Sequence, residues 1–82
     1  MILEPIDGAE VDEKGVIVRG LAPPGATITR DIRFWFDDHT VANSRGRWSF
    51  VVVLDPGENV LVFRIGDDVT TVRSVTVYFR PS

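Results

Sequence analysis

Large apolar residues occupy every second position along two consecutive stretches in the middle of the chain. The first set is Trp48, Phe50, Val52 and Leu54, and the second, after the break at residues 55–57, is Asn59, Leu61, Phe63 and Ile65. Because successive side chains of a β-strand point to opposite faces, each set predicts a strand with one face toward the core. We expect Trp48 to be the main packing anchor and the rest of the chain to cover these two faces.

The remaining sequence also favours strands. β-branched residues dominate between short Gly, Pro and Asp clusters, and no window has the i, i+3, i+4, i+7 apolar spacing of a helix. Residues 10–14 are predicted to be a solvated acidic link and 37–39 a loop, whereas a strand continues or restarts at 32–36, so the register over 31–43 stays open. We expect seven strands, at residues 2–6, 15–21, 26–30, 40–42, 48–54, 60–65 and 69–79.

Turn signals separate these predicted strands. Pro23-Pro24-Gly25 predicts a type II turn with Gly25 at the positive-φ position, and Gly66-Asp67-Asp68 predicts a hairpin turn. Short strands with a turn roughly every 8–12 residues are typical of an immunoglobulin-like sandwich. The chain has no Cys. The predicted fold is therefore all-β, a seven-stranded antiparallel immunoglobulin-like β-sandwich with no disulfide, filled by side-chain packing alone.

Length and charge limit the classes of function. Eighty-two residues, 44% of them apolar, support one domain, residues 1–82, with one core. The net charge of −3 and the lack of a basic stripe argue against binding to nucleic acid or anionic membrane. No apolar run approaches the roughly 20 residues that cross a bilayer, so we expect no membrane insertion. Without a signal-peptide pattern, the chain is either cytosolic or, as we favour, a domain excised from a longer multidomain chain.

Two motifs in order resemble the bacterial immunoglobulin-like domains of the glucodextranase B-domain type. One is VIVRGLAPPGATI at residues 16–28, and the other is GRWSF at 46–50 continuing to LDPGENVLV at 54–62. The likeness spans nearly the whole chain. The departure lies at residues 30–43, which are longer and more aromatic than the short hairpin usual at that place in such domains.

The resemblance implies a function without chemistry of its own. Domains of this type occur in secreted and cell-surface bacterial proteins, as spacers, stalk units or accessory modules beside enzyme or adhesion domains, and share no catalytic residues. We therefore expect an extracellular or cell-surface, non-catalytic structural or interaction module that needs no cofactor. Its expected partners are neighbouring domains of the parent chain, another protein, or a second copy meeting it through sheet faces or edges.

Two groups of residues are candidates for an interaction surface. One is the aromatic run at residues 34–36. Either it contacts a partner, or Phe34 and Phe36 pack in the core while Trp35 lies over the edge of its own sheet. The other is a set of valines predicted to face outward, where Thr, Lys or Glu is more usual; it either meets another domain or reflects β-propensity alone. The candidate residues are Phe34, Trp35, Phe36, Val51, Val53, Val60 and Val62.

Other candidate chemistry is weaker. A carbohydrate-binding accessory module that uses Trp35 is the alternative function. The loops containing Asp37-Asp38 and Asp67-Asp68 offer oxygen ligands for Ca²⁺, but they lack the D-x-D-x-D-G spacing and are more typical of solvated turns. His39 is the only His and has no nucleophile signature near it, so we predict no catalytic residue and no metal site.

Three residues are predicted to be structural anchors. Trp48 fills the core, Gly57 forms the corner after Pro56, and the Asn59 amide bonds nearby backbone groups to fix the crossing between the two sheets.

Overall fold

A computed structural model of the protein describes residues 1–32 and 37–81, and these form two β-sheets in a sandwich-like arrangement with no helix. The predicted all-β fold is thus confirmed. In chain order the strands are β1 (Ile2–Glu4), β2 (Ala9–Val11), β3 (Gly15–Leu21), β4 (Thr27–Asp31), β5 (Asp38–Val41), β6 (Arg47–Val53), β7 (Gly57–Ile65) and β8 (Asp68–Phe79).

The strands divide unequally between the sheets. Sheet A has the order β1-β3-β6, and sheet B has the order β2-β8-β7-β4-β5. All neighbouring strands are antiparallel except β2 and β8, which are parallel. The prediction of seven strands, all antiparallel, is therefore wrong in both respects, since the described residues contain eight strands and sheet B is mixed.

The extra strand, β2, overlaps the first two residues of the segment predicted to be a solvated link, residues 10–14. Ala9 is opposite Val77, and the Arg80 backbone N–H donates to the Val11 carbonyl oxygen at 2.9 Å. A strand of three residues is too short for alternation to reveal, and its partner lies near the other end of the chain. The pairing is therefore a tertiary effect that overrides local pattern.

Two other local predictions have different outcomes. The type II turn is confirmed, because the Ala26 N–H donates to the Pro23 carbonyl oxygen at 3.0 Å and Gly25 has a φ of 80°. The predicted loop at 37–39 is wrong beyond its first residue, since β5 starts at Asp38, where it pairs with Arg30 of β4.

The core lies between the sheets and contains most of the residues that alternation predicted to face inward, whereas Asn59 and Ile65 are only partly buried. Trp48 is only 6% exposed. Its ring centroid is 6.1 Å from that of Phe50 and 5.3 Å from that of Phe63, so one indole contacts aromatic rings of both sheets. The other buried core residues are Val18, Ile28, Ala42, Val52, Leu54, Leu61, Val75, Val77 and Phe79.

Gly20 leaves the space that the Trp48 indole occupies in the core. Gly20 on β3 lies directly opposite Trp48 on β6. A Cβ added at Gly20 would overlap the six-membered ring of Trp48 and the Met1 carbonyl oxygen. The sequence therefore requires glycine here for space, because any larger side chain would displace the core anchor.

Asn59 holds the corner where the chain leaves sheet A for sheet B. Its Oδ1 accepts from the Asp55 backbone N–H at 2.9 Å, and its Nδ2 donates to the carbonyl oxygens of Asp55 at 2.9 Å and Gly57 at 3.0 Å. Nδ2 also lies 3.3 Å from the carbonyl oxygen of Val77 on β8. One side chain thus connects the end of β6, the corner and sheet B, and Gly57 has the positive φ, 93°, that the corner requires.

We expect Gly20→Ala to lower the free energy of unfolding by about 1–3 kcal/mol, because the added methyl group overpacks the core against Trp48. Urea denaturation followed by Trp fluorescence measures the change. Gly15→Ala on the same strand is the matched control. Its Cβ would meet only the Val52 carbonyl oxygen, at 4.0 Å, so a change within about 0.5 kcal/mol is expected. Equal effects of the two substitutions would contradict the packing role of Gly20.

We expect Asn59→Ala to lower the free energy of unfolding by about 1–3 kcal/mol, because the corner's backbone groups lose the amide. Asn59→Asp keeps an acceptor for the Asp55 N–H but sets a carboxylate against carbonyl oxygens. It is therefore expected to be no more stable than Asn59→Ala at pH 7 in the same denaturation experiment. If Asn59→Asp were as stable as the wild type, the N–H donors of the Asn59 amide would contribute nothing to the free energy of unfolding.

Candidate interaction surface

The four candidate valines do not form one surface. Val51 and Val53 lie on β6 with their side chains on the outer face of sheet A, whereas Val60 and Val62 lie on the outer face of sheet B. The alternation that predicted them to face outward is consistent with the structure, but each pair lies on the far side of the sandwich from the other.

On sheet A the valines join a third apolar residue. Ile17 on β3 is directly opposite Val51 on β6, and the side chains of Ile17, Val51 and Val53 are 44%, 73% and 67% exposed. We call these three residues the sheet A patch. Sequence reasoning did not include Ile17 among the candidates, because cross-strand register is set by tertiary pairing.

The valines on sheet B have polar neighbours. Val60 is opposite Thr76, and Val62 lies between Ser74 of β8 and Asp31 of β4. Such alternation of single apolar residues with hydroxyl and carboxylate groups is ordinary for a solvated sheet face. The outer face of sheet B therefore mixes its valines, Val60, Val62 and Val72, with polar groups.

The aromatic run falls outside the part of the chain that the structure describes. Phe34, Trp35 and Phe36 belong to residues 33–36, so their predicted contact with a partner, and the carbohydrate-binding alternative that depends on Trp35, stay predictions.

The predicted acidic loops do come together, but around a guanidinium. Arg64 on β7 forms ion pairs with Asp31, with Asp37 at 3.3 Å between Nη2 and Oδ2, and with Asp67 at 3.5 Å between Nη2 and Oδ1. The Arg64 side chain is only 14% exposed. Two of the four carboxylates considered as Ca²⁺ ligands, Asp37 and Asp67, are thus arranged around a cation. Residues 1–32 and 37–81 contain no group of three or more His, Cys, Asp or Glu suited to a metal ion.

Two further charged residues lie on neighbouring strands. Burial lowers the pKa of the Arg30 guanidinium, and the nearby Asp38 carboxylate partly opposes that shift. His39 is exposed on β5, opposite Thr29, and its backbone N–H donates to Asp38 Oδ1 at 2.9 Å.

A cavity of about 90 Å³ lies between the sheets at the end where Met1 and Ile2 meet Trp48 and Phe63. Trp48 Nε1 is buried and has no hydrogen-bond partner among the described residues. Pockets that bind small molecules usually enclose about 300–1,000 Å³, so this volume suits a few water molecules better than a metabolite or sugar.

No family model, curated protein or solved structure matches the chain. In the described residues, no helix has the length and apolar character needed to span a bilayer.

We expect Arg64→Met to lower the free energy of unfolding by about 2–3 kcal/mol, because three aspartates lose their shared cation on a mostly buried stem. Arg19→Met is the control. Arg19 pairs with Glu4 at 3.0 Å, but both side chains are more than half exposed, so about 1 kcal/mol or less is expected. Urea denaturation of both variants measures the difference. Equal losses would contradict the central position of Arg64 in its cluster.

Proposed function

We propose that the chain is a non-catalytic immunoglobulin-like module that serves as a spacer, stalk or contact unit in a secreted or cell-surface bacterial protein. The supporting observation is the strand order of the two sheets. In immunoglobulin-like domains the second and fifth strands pair in one sheet, and the third, sixth and seventh strands form the other. Here β3 pairs with β6 in sheet A, while β4, β7 and β8 are adjacent in sheet B.

The eighth strand is compatible with this plan. The N-terminal segment is divided between the sheets, since β1 pairs with β3 in sheet A and β2 pairs with β8 in sheet B. Two hydrogen bonds hold the crossing: the Thr76 N–H donates to Asp7 Oδ1 and the Gly8 N–H donates to the Thr76 carbonyl oxygen, both at 2.7 Å. Omitting β2 leaves seven strands whose order differs from that of an immunoglobulin constant-type domain at one strand, since the fourth, β5, pairs with β4 in sheet B instead of with β6.

The motifs behind the resemblance coincide with the pairs that build the core. The motif at residues 16–28 covers β3, the Pro23–Gly25 turn and the start of β4. The motif at 46–62 covers β6, the Asn59 corner and much of β7. Both motifs therefore form the strands and turns that build the core of this chain. This supports extending to it the extracellular location and the module function of the family.

The sheet A patch supports a contact role. Three clustered apolar side chains on a solvated face lose unfavourable water contact when a neighbouring domain or protein covers them. On the outer face of sheet B the valines are interspersed with hydroxyl groups and with the Arg64 cluster. A contact unit that uses sheet A is therefore the most specific function that the geometry supports.

We expect an epitope-tagged copy, expressed from its own gene in the organism that encodes it, to be degraded when intact cells are treated with trypsin, or to be recovered from the medium. A cytosolic marker protein in the same cells is the control and should survive until lysis. Complete protection of the tagged protein in intact cells, with none in the medium, would contradict a secreted or surface location.

A further inference from the structure

We propose that the cavity between the sheets binds a small carboxylate anion of about the size of acetate, held by the Trp48 indole N–H and the Arg73 guanidinium. This goes beyond the proposed function, since a ligand site inside the sandwich does not depend on what the module contacts. Three features support it: an indole donor without an acceptor, a guanidinium without a counter-charge, and apolar walls that leave room for only a few atoms.

The Trp48 indole supplies a buried donor. Trp48 is 6% exposed, lines the cavity, and has no hydrogen-bond partner for Nε1 among the described residues. A buried donor without an acceptor is costly, so in native structures such groups usually meet protein, water or an ion. The hydroxyl of Thr71, which also lines the cavity, is already bonded, because it accepts from the Ile65 N–H at 2.8 Å and donates to the Asp68 carbonyl oxygen at 2.7 Å. An acceptor from outside the described residues would therefore satisfy the indole.

Arg73 supplies a positive charge at the same cavity. It lies on β8 opposite Phe63 of β7, and alternation places it on the inner side of β8 with the core residue Val75. Its Nη1 donates to the Val72 carbonyl oxygen at 2.8 Å, but within residues 1–32 and 37–81 it forms no ion pair. Because Arg73 is exposed, the cavity meets solvent beside it, where a charged ligand can enter.

No acidic side chain balances this charge in the cavity. Among the lining residues that the structure describes there is no Asp or Glu. The second arginine of the lining, Arg64, is already paired with Asp31, Asp37 and Asp67. The Arg73 guanidinium is therefore the charge available to a ligand, and its sign selects an anion.

The walls select a small ligand with an apolar part. Four apolar residues of the lining belong to the core or pack against it: Ile2, Ile28, Phe63 and Ile65. The volume of about 90 Å³ is the space of roughly three water molecules, which a two-carbon carboxylate also fits. Water would accept the indole hydrogen bond but gives Arg73 no counter-charge, and a halide has no apolar group for the walls.

One ligand can serve both donors, because Trp48 and Arg73 line the same small cavity. The carboxylate accepts from the indole N–H and from the guanidinium, and the methyl group contacts the apolar walls. Hydrogen bonds between charged partners are the stronger kind, so Arg73 contributes more than a neutral donor would. Acetate has few atoms with which to gain binding free energy, so we expect a Kd on the order of 1–10 mM.

The first test is titration of the purified chain with sodium acetate at pH 7 and constant ionic strength, followed by the indole N–H signals in proton–nitrogen correlation spectra. The chain has two Trp residues, so Trp35→Phe removes one of the two signals and assigns the other to Trp48. We expect the Trp48 signal to shift downfield and to saturate with the millimolar Kd given above.

The second test separates charge recognition from general attraction. Arg73→Gln removes the charge at the cavity and is expected to raise the Kd about threefold or more. Arg45→Gln makes the same change of net charge in an exposed turn outside the cavity and should leave the Kd unchanged. Acetamide has the shape of acetate without its charge and is expected to bind at least about tenfold more weakly. Circular dichroism of each variant verifies that the sheets remain folded.

Three results would overturn the proposal. They are a Trp48 signal that acetate does not move up to about 100 mM, which would leave ordered water as the acceptor, equal effects of Arg73→Gln and Arg45→Gln, and acetamide that binds as well as acetate. A chain found at the cell surface that does not bind acetate would overturn only the ligand site. A cytosolic chain that binds acetate would instead overturn only the proposed location.

Discussion

The contact between the Trp48 indole and Gly20 is the constraint on which the other features of the sandwich depend. The indole lies over a position that only glycine can leave open, and its ring meets Phe63 of the opposite sheet. Because side chains alternate along a strand, directing Trp48 inward also directs Phe50 and Val52 inward and leaves Val51 and Val53 outside. The same register places Ile17 opposite Val51. The sheet A patch is therefore a geometric consequence of the core anchor.

Topology then determines that β6 ends its sheet. After β6 the chain turns at the Asn59 corner and enters sheet B, to which both later strands, β7 and β8, belong. The strand before β6, β5, also belongs to sheet B. No later segment of the described chain returns to cover the outer side of β6. The amide that stabilises the corner also caps the N–H and C=O groups of Asp55, at the point where the chain leaves sheet A after Leu54.

The sequence predicts those features that depend on local periodicity and turn chemistry. Alternation identified the buried residues of β6 and β7, the bounds of β3 agree with the prediction, and Pro-Pro-Gly located a turn. It could not predict β2, whose three residues depend on a partner near the other end of the chain. Nor could it predict that Arg64 would form ion pairs with Asp37 and Asp67, or that β6 would be an edge strand. These features arise when distant segments meet, and no local signal encodes them.

The two outer faces differ in how they interact with water. The face of sheet B is fixed by the Arg64 cluster, whose charges lose hydration if another surface covers them. The apolar side chains of the sheet A patch have no charge whose hydration would be lost, and their removal from water is favourable. On sheet A, moreover, the side chains point perpendicular to the sheet while the free N–H and C=O groups of β6 lie within its plane. A neighbouring domain that covers this face would therefore contact the side chains of Ile17, Val51 and Val53 and not these backbone groups.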